Sequence, residues 1–495
     1  MALIGFAMVC LVFPAHTQAE QKPLWLSAAG QQPPRLYLFW QAGWTPKTKP
    51  EHVRLVSQNP PDLFQYPTHE LSSGLPHGSM CPAPAEHKIR WSYEKDEPGA
   101  KPADAKPAWW TTEEYARRVA DGADAVKWVM QQTGAHGLAP YVCAVKIEGE
   151  RDKRLRFWAF YDRWDLYKQW FGPKPSSDPW DWVQFRPDYN AKSTWGFYKP
   201  ADDGSRIHSG CPNSPFSAYL ASLVKIGAQS GLRAVFVDNP GCNCVCPRCQ
   251  AAWQDFLRRR FTKEDLKKCF DLADYADAKL TDKRFEIERK RFWGHSAGKH
   301  LARLREAGES VLGKGNFWIC PNGTPIEFVP SSPGCDAVEW AKVGGFQLGS
   351  RENNRMSEGF ERTRLGKNLY FNATNDLILG HKMMRGLSSP AWAAPLRSHE
   401  FLGRDEGFYN LAAAEMLTFD GILCDTGAPW FPTAARKPFY DFYRAHEPLL
   451  RSGQSVAEVG VLCFTNELHL DPADSVREVR LVTDWLTEAH VLWDA

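Results

Sequence analysis

The stretch AVFVDNPGCNCVCPRCQ (234–250) ends an apolar run in Asp238 and then sets Cys242, Cys244, Cys246 and Cys249 in close succession. A carboxylate at the end of an apolar strand is costly to bury unless it is paired or hydrogen-bonded. Two more acids close apolar runs: Glu339 in DAVE and Asp425 in GILCD. Each can be a helix cap or one side of an ion pair. Each can also be half of the carboxylate couple that glycosidic cleavage needs, one acid protonating the leaving oxygen while the other attacks or activates water. Asp238 and Glu339 are the expected couple. Asn239 can hold Asp238 or bond a sugar hydroxyl, and Tyr198, His208 and His381 are candidate polar contacts to substrate.

The cysteines suggest separate chemistry. Cys244, Cys246 and Cys249 have C-x-C-x2-C spacing, which lets several thiolates face one centre, as tetrahedral zinc requires. The fourth ligand is Cys242 or a distant residue such as Cys211. Four thiolates close the coordination sphere and make such a metal structural. Disulfides to distant partners and free thiols are the alternatives; cysteines this close rarely bridge one another.

Tryptophan is abundant, with 21 residues, several of them between 158 and 195. Indoles serve either as core or as flat platforms for the C–H faces of sugar rings. Trp40 and Trp195 are the candidate platforms. A formal net charge of +2 and the lack of a basic stripe with interleaved aromatics point away from nucleic acid and anionic membranes.

The elements that must position these residues read as repeated βα units. RLYLFWQAG (35–43), LAPYVCAVKI (138–147), LRAVFVDN (232–239), NFWICPNG (316–323), DAVEW (336–340), LILGHKMM (377–384) and GILCDTG (421–427) are expected strands. Helices are expected at 111–137, 214–231, 251–261, 281–312 and 406–421, marked by Thr or Ser-Pro starts and Gly stops. Short, nearly continuous apolar strands alternating with helices imply a parallel sheet. At this length they fit a (β/α)8 TIM barrel with long loop insertions, over 20–454. A doubly wound sheet would bring a Gly-rich phosphate loop, and no G-x-G-x-x-G occurs. Residues 455–495 read as β-α-β, the start of a further domain. Residues 1–19 have the apolar stretch and small terminal residues of a signal peptide. Export to the periplasm or the extracellular space follows from that reading.

The segment VFVDNPGCNCVCPRCQAAWQDFL resembles the region after the fourth strand in barrel glycoside hydrolases related to family 42 β-galactosidases, and in hypothetical glycosyl hydrolases found beside trimerisation-like domains. Asp238, Cys244, Cys246, Cys249, Trp253, Phe256 and Leu257 carry the likeness. It implies a TIM barrel, a carbohydrate substrate, a zinc-binding loop and a strand bearing a catalytic-type glutamate at Glu339. GVLCFT…VLWDA is similar to the start of a flavodoxin-like trimerisation domain, which allows a homo-oligomer. One departure matters: the family has Asn-Glu where this chain has Asp238-Asn239, and one methylene of lost reach is costly at a reacting centre. Asp238 is therefore expected as nucleophile or base and Glu339 as general acid, the roles being exchangeable. The rivals are a carbohydrate-binding barrel without catalysis and a zinc hydrolase of another class, which would need an open coordination position.

Overall fold

The structure is a computed structural model. It describes residues 36–40, 50–65 except 59, 110–186 except 136, 138–140, 144 and 145, 191–192, 204–321 except 239, and 334–345. It also describes strand and helical positions between 349 and 449, then 456–462 and 472–494.

Strands β1 (Leu36–Trp40), β2 (Leu63–Gln65), β3 (Tyr141–Cys143), β8 (Ala234–Asp238), β9 (Trp318–Pro321), β10 (Gly349–Glu352), β13 (Ala391–Ala394) and β14 (Ile422–Gly427) are parallel. They form one sheet in the order β10-β13-β14-β1-β2 and another in the order β3-β8-β9. At one junction Phe64 of β2 donates its N–H to the carbonyl of Gly137, just ahead of β3, at 2.9 Å. At the other, Cα atoms of β9 and β10 approach within 8 Å.

The remaining strands are short antiparallel pairs and one terminal pair. β4 (Lys146–Gly149) pairs with β7 (Arg206–Ser209), β5 (Phe185–Arg186) with β6 (Ala191–Lys192), and β11 (Arg362–Leu365) with β12 (Leu369–Asn372). β15 (Val459–Gly460) pairs in parallel with β16 (Trp493–Asp494). The run expected as one strand at 138–147 is thus broken: β3 joins the parallel sheet and β4 leaves it as one arm of an antiparallel pair.

Nine α-helices of the described residues precede residue 349. α1 (Pro50–Gln58) and α2 (Thr112–Thr133) come first. α2 starts in a reciprocal capping box of Thr111 with Glu114 and stops at left-handed Gly134. α3 (Phe157–Asp162) and α4 (Lys168–Phe171) lie between β4 and β7. α5 (Pro215–Gln229) begins with Pro215 behind the Ser214 cap. α6 (Pro247–Arg260), α7 (Lys263–Phe270) and α8 (Glu286–Leu312) separate β8 from β9. α9 (Ala337–Lys342) lies against α8, where Gly294 and Gly298 leave room: a Cβ on Gly294 would stand 2.6 Å from Asp336 Cβ, and one on Gly298 2.8 Å from Trp340 Cα.

Two expected strands are helical. DAVEW is α9 with its Asp336 cap. LILGHKMM is helical at 378–380 and 382–383, and places Leu379 and Met383, four residues apart, in one small core with Val461 and Trp493.

The segment between β4 and β7 has its own aromatic core. Phe157, Trp158, Phe160, Tyr161, Trp164, Tyr167 and Trp182 are all but fully buried. Tyr219 of α5 reaches into them, 5.0 Å from Phe171 and 5.5 Å from Phe157 between ring centroids. Edge-on and tilted ring pairs at these distances each add about 0.5–1.5 kcal/mol beyond burial. The tryptophan wealth of this region is therefore packing, and Trp158, Trp164 and Trp182 have no face left for a sugar.

The candidate strand-end site and its four-cysteine knot

Every residue of β8 is buried, which explains its unbroken apolar run, and the strand delivers Asp238 at its end with 8% exposure. Cys143 of β3 is its register partner. The loop that leaves Asp238 turns directly into the cysteines. There Asn243 donates its N–H to Gln184 Oε1 at 3.1 Å, Val245 donates to the Phe185 carbonyl at 2.8 Å, and Trp293 of α8 donates its indole N–H to the Cys244 carbonyl at 3.1 Å. Two separate parts of the chain, 184–185 and α8, thus clamp the segment following the strand-end acid.

Cys211, Cys244, Cys246 and Cys249 bring their sulfurs within 4.8 Å of one another, all buried. The fourth member is Cys211, just beyond β7, and Cys242 is outside the set. Cys242 instead lies under Gly334, its backbone pressed against that glycine. The donor set passes a geometric test. Thiolates about 2.3 Å from one zinc ion stand about 3.8 Å apart at tetrahedral angles. The Cys211 sulfur lies 3.8 Å from that of Cys246 and 3.4 Å from that of Cys249.

N–H donors also face the sulfurs: Phe185 N–H to Cys244 at 3.2 Å, Cys246 N–H to Cys244 at 3.4 Å, and Asn213 Nδ2 to Cys249 at 3.3 Å. Asn213 is itself fixed by Ser296 of α8 at 3.0 Å. Such outer contacts orient ligands and stabilise thiolate charge. A divalent ion would take all four as thiolates. The cluster can hold a metal ion, and its thiolate set fits zinc. Asn213 and Ser296 had no signal in the sequence, because neither has a recognisable spacing from the cysteines.

Glu339 is placed differently from expectation. It lies in the first turn of α9 and not at a strand end; Asp336 caps that helix by accepting the Glu339 N–H at 3.0 Å. Its side chain is 5% exposed and bonded to Lys342 Nζ at 2.8 Å, with His295 Nδ1 of α8 at 3.9 Å. The carboxylate therefore faces the α8–α9 seam. His295 is pushed down to about 4, by burial first and then by Lys299, Arg259, Arg260 and Lys342. Backbone register places two other acids on parallel strands: Glu352 ends β10, and Asp425 lies opposite Leu38 within β14. Glu352 was not singled out from the sequence, because GSRE has no apolar run to mark a strand.

His208 of β7 is enclosed by the rings of Trp158 at 5.5 Å and Trp180 at 5.2 Å, and burial lowers it to about 4. It belongs to the aromatic core. Asn239, Tyr198, Trp195, His381 and the 1–19 segment lie outside the described residues, and of Trp40 the strand backbone alone is described.

No protein-family model matches the sequence, and no curated protein does. Solved structures do match. A β-galactosidase from Bacillus circulans sp. alkalophilus superposes over 93% of this chain with a TM-score of 0.55 at 14% identity. A β-galactosidase from the psychrophilic Marinomonas ef1 superposes over 90% with a TM-score of 0.54 at 11% identity. The chain spans 65% of the length of each. At such identities the likeness to these two β-galactosidases is one of fold.

Proposed function

We propose that this chain is a carbohydrate-active (β/α)8 barrel that hydrolyses glycosidic bonds of an oligo- or polysaccharide, with Asp238 as one of its two carboxylates. The observation that carries the reading is the buried acid at the end of the fourth parallel strand, in a chain with the fold of two β-galactosidases. In parallel barrels the C-terminal strand ends surround the reaction centre. Closing the two sheets into one barrel needs only β2 beside β3 and β9 beside β10, and the contacts at both junctions support this.

The second carboxylate is drawn from Glu352 and Asp425, with Glu339 as the rival. Glu339 is the rival because its carboxylate is already held by Lys342 at 2.8 Å, in the seam between α8 and α9. The four cysteines hold structural zinc that fixes the loop after Asp238. Its own ligands leave no open position for catalysis. Export through residues 1–19, and residues 455–495 as the start of a flavodoxin-like domain in a homo-oligomer, belong to the same reading. The β15–α10–β16 unit, with α10 spanning Pro472–Glu488, supports the second of these.

Asp238→Asn, Glu352→Gln, Asp425→Asn and Glu339→Gln should be assayed on a glycan panel. Asp238→Asn and one of the two strand variants are expected to lose about 10²–10⁴-fold in turnover, the usual worth of a positioned acid or base. Glu339→Gln is expected to keep most of its activity. Undiminished turnover in Asp238→Asn would remove the assignment. A carbohydrate-binding barrel without catalysis is the second reading, favoured by the engagement of Glu339 in an ion pair; it predicts glycan binding and no turnover in the unsubstituted protein.

A further inference from the structure

Charge nearly cancels over the whole chain, at 60 Lys and Arg against 58 Asp and Glu, but it does not cancel along α8. This helix is buried on most of its circumference. Its outward strip carries His295, Lys299 and Arg303 at four-residue steps, with Lys299 and Arg303 exposed. Such steps keep side chains on one face, about 6 Å apart along the axis. The last turns of α6 lie across the strip: the Phe256 ring meets that of His295 at 5.3 Å, so exposed Arg259, about one turn further on, comes to the same side. Burial first, then Arg259 and Arg303, hold the Lys299 ammonium below its ordinary range.

Neighbouring cations are neutralised. Arg258 pairs with Asp255, Arg260 and Arg291 with Glu288, and Lys342 with Glu339. Asp255 is the acid that acts on Lys299, and it is already committed to Arg258. Among the described residues, Arg259, Lys299 and Arg303 have no ion-pair partner. The basic stripe missing from the sequence is assembled by folding, from residues forty positions apart on two helices.

We infer that Arg259, Lys299 and Arg303 form a docking strip for an acidic polysaccharide, a polymer carrying carboxylate or sulfate groups. The strip lies on the outward face of α8, the helix whose buried Trp293 holds the loop following Asp238. The described part of α6 and α8 exposes no aromatic ring on which a nucleic-acid base could stack. The choice of a polysaccharide over other polyanions rests on the carbohydrate-active reading above.

The test is binding of the full chain to immobilised polygalacturonate and dextran sulfate, with uncharged dextran as reference, at low and high salt. The variants are Arg259→Gln, Lys299→Gln and Arg303→Gln, singly and combined, with Lys263→Gln as a control because Lys263 is already paired with Asp274. Expected are retention on one or both acidic polymers, loss of retention at high salt as screening shortens the reach of charge, and about tenfold weaker binding in the triple variant. The single variants should each fall part of the way, and the control should match the unsubstituted protein. Turnover of the triple variant on a short uncharged glycan is read alongside; loss of retention with turnover kept separates this inference from the catalytic one. No retention on either acidic polymer, or equal retention of the triple variant, overturns the proposal. Stronger retention on DNA or on an acidic polypeptide than on either polymer overturns the polysaccharide assignment.

Discussion

A histidine enclosed by two indoles resists taking up a proton. His208 sits near 4 in the folded protein against an ordinary 6.5, chiefly because burial disfavours its charged form. Between those two values the unfolded chain binds a proton that the native site does not. The contribution of His208 is thus fully present above about pH 6.5 and is lost as pH falls toward 4, by about 3 kcal/mol in all. His208→Gln should flatten this fall, and urea midpoints at pH 7 and below pH 5 check it. An unchanged acid dependence in the variant would assign the loss to other groups. The sequence offered His208 as a contact to substrate, because an isolated histidine shows nothing of its surroundings. Its enclosure depends on Trp158 and Trp180, brought to it across the β4–β7 pair.

Elements were legible where periodicity and caps agreed. Thr111 with Glu114 announces α2, Ser214-Pro215 announces α5, and the apolar run before Asp238 announces β8. DAVEW failed because five residues cannot separate period 2 from period 3.6, and the deciding feature is the Asp336 cap. The turn into α9 is equally specific. Gly334 has φ +84°, and a Cβ there would stand 2.3 Å from the Cys242 nitrogen. Gly334→Ala should therefore lower stability by about 2 kcal/mol or more, since the left-handed backbone alone costs about 1–2 kcal/mol with a side chain present. A thermal melt reads this directly. An unshifted midpoint would mean that the loops after β8 and β9 do not press together here.

At the scale of the molecule, the parallel βα plan with its long insertions was readable from alternating apolar runs, while the internal packing of the insertion between β4 and β7 was not. Its tryptophans could be read as core or as platforms for sugar, and Trp158, Trp164 and Trp182 build a core that the flanking strands and α5 close. The knot has the same character. Three ligands could be read from C-x-C-x2-C, but Cys211 stands 35 and 38 residues from Cys246 and Cys249, and only the fold selects it over Cys242. Cys211→Ser should therefore lower bound zinc from about one equivalent, the content of a single four-thiolate site, and depress the melting temperature. Cys242→Ser should retain the metal. Elemental analysis of purified protein decides between them, and full zinc content in Cys211→Ser would discard the four-cysteine assignment.

The placement of Cys211 has a topological consequence. An ion joining it to Cys249, 38 residues further on, would close the stretch between them into a lasso, and α5 and β8 lie wholly inside that lasso. A covalent tie of this span restricts the unfolded chain by about 4 kcal/mol in the chain-entropy account, and a four-point metal tie acts on the same freedom. With such an ion bound, the strand that delivers Asp238 would be tethered at both flanks and could not drift far from its neighbours even when the surrounding helices come loose.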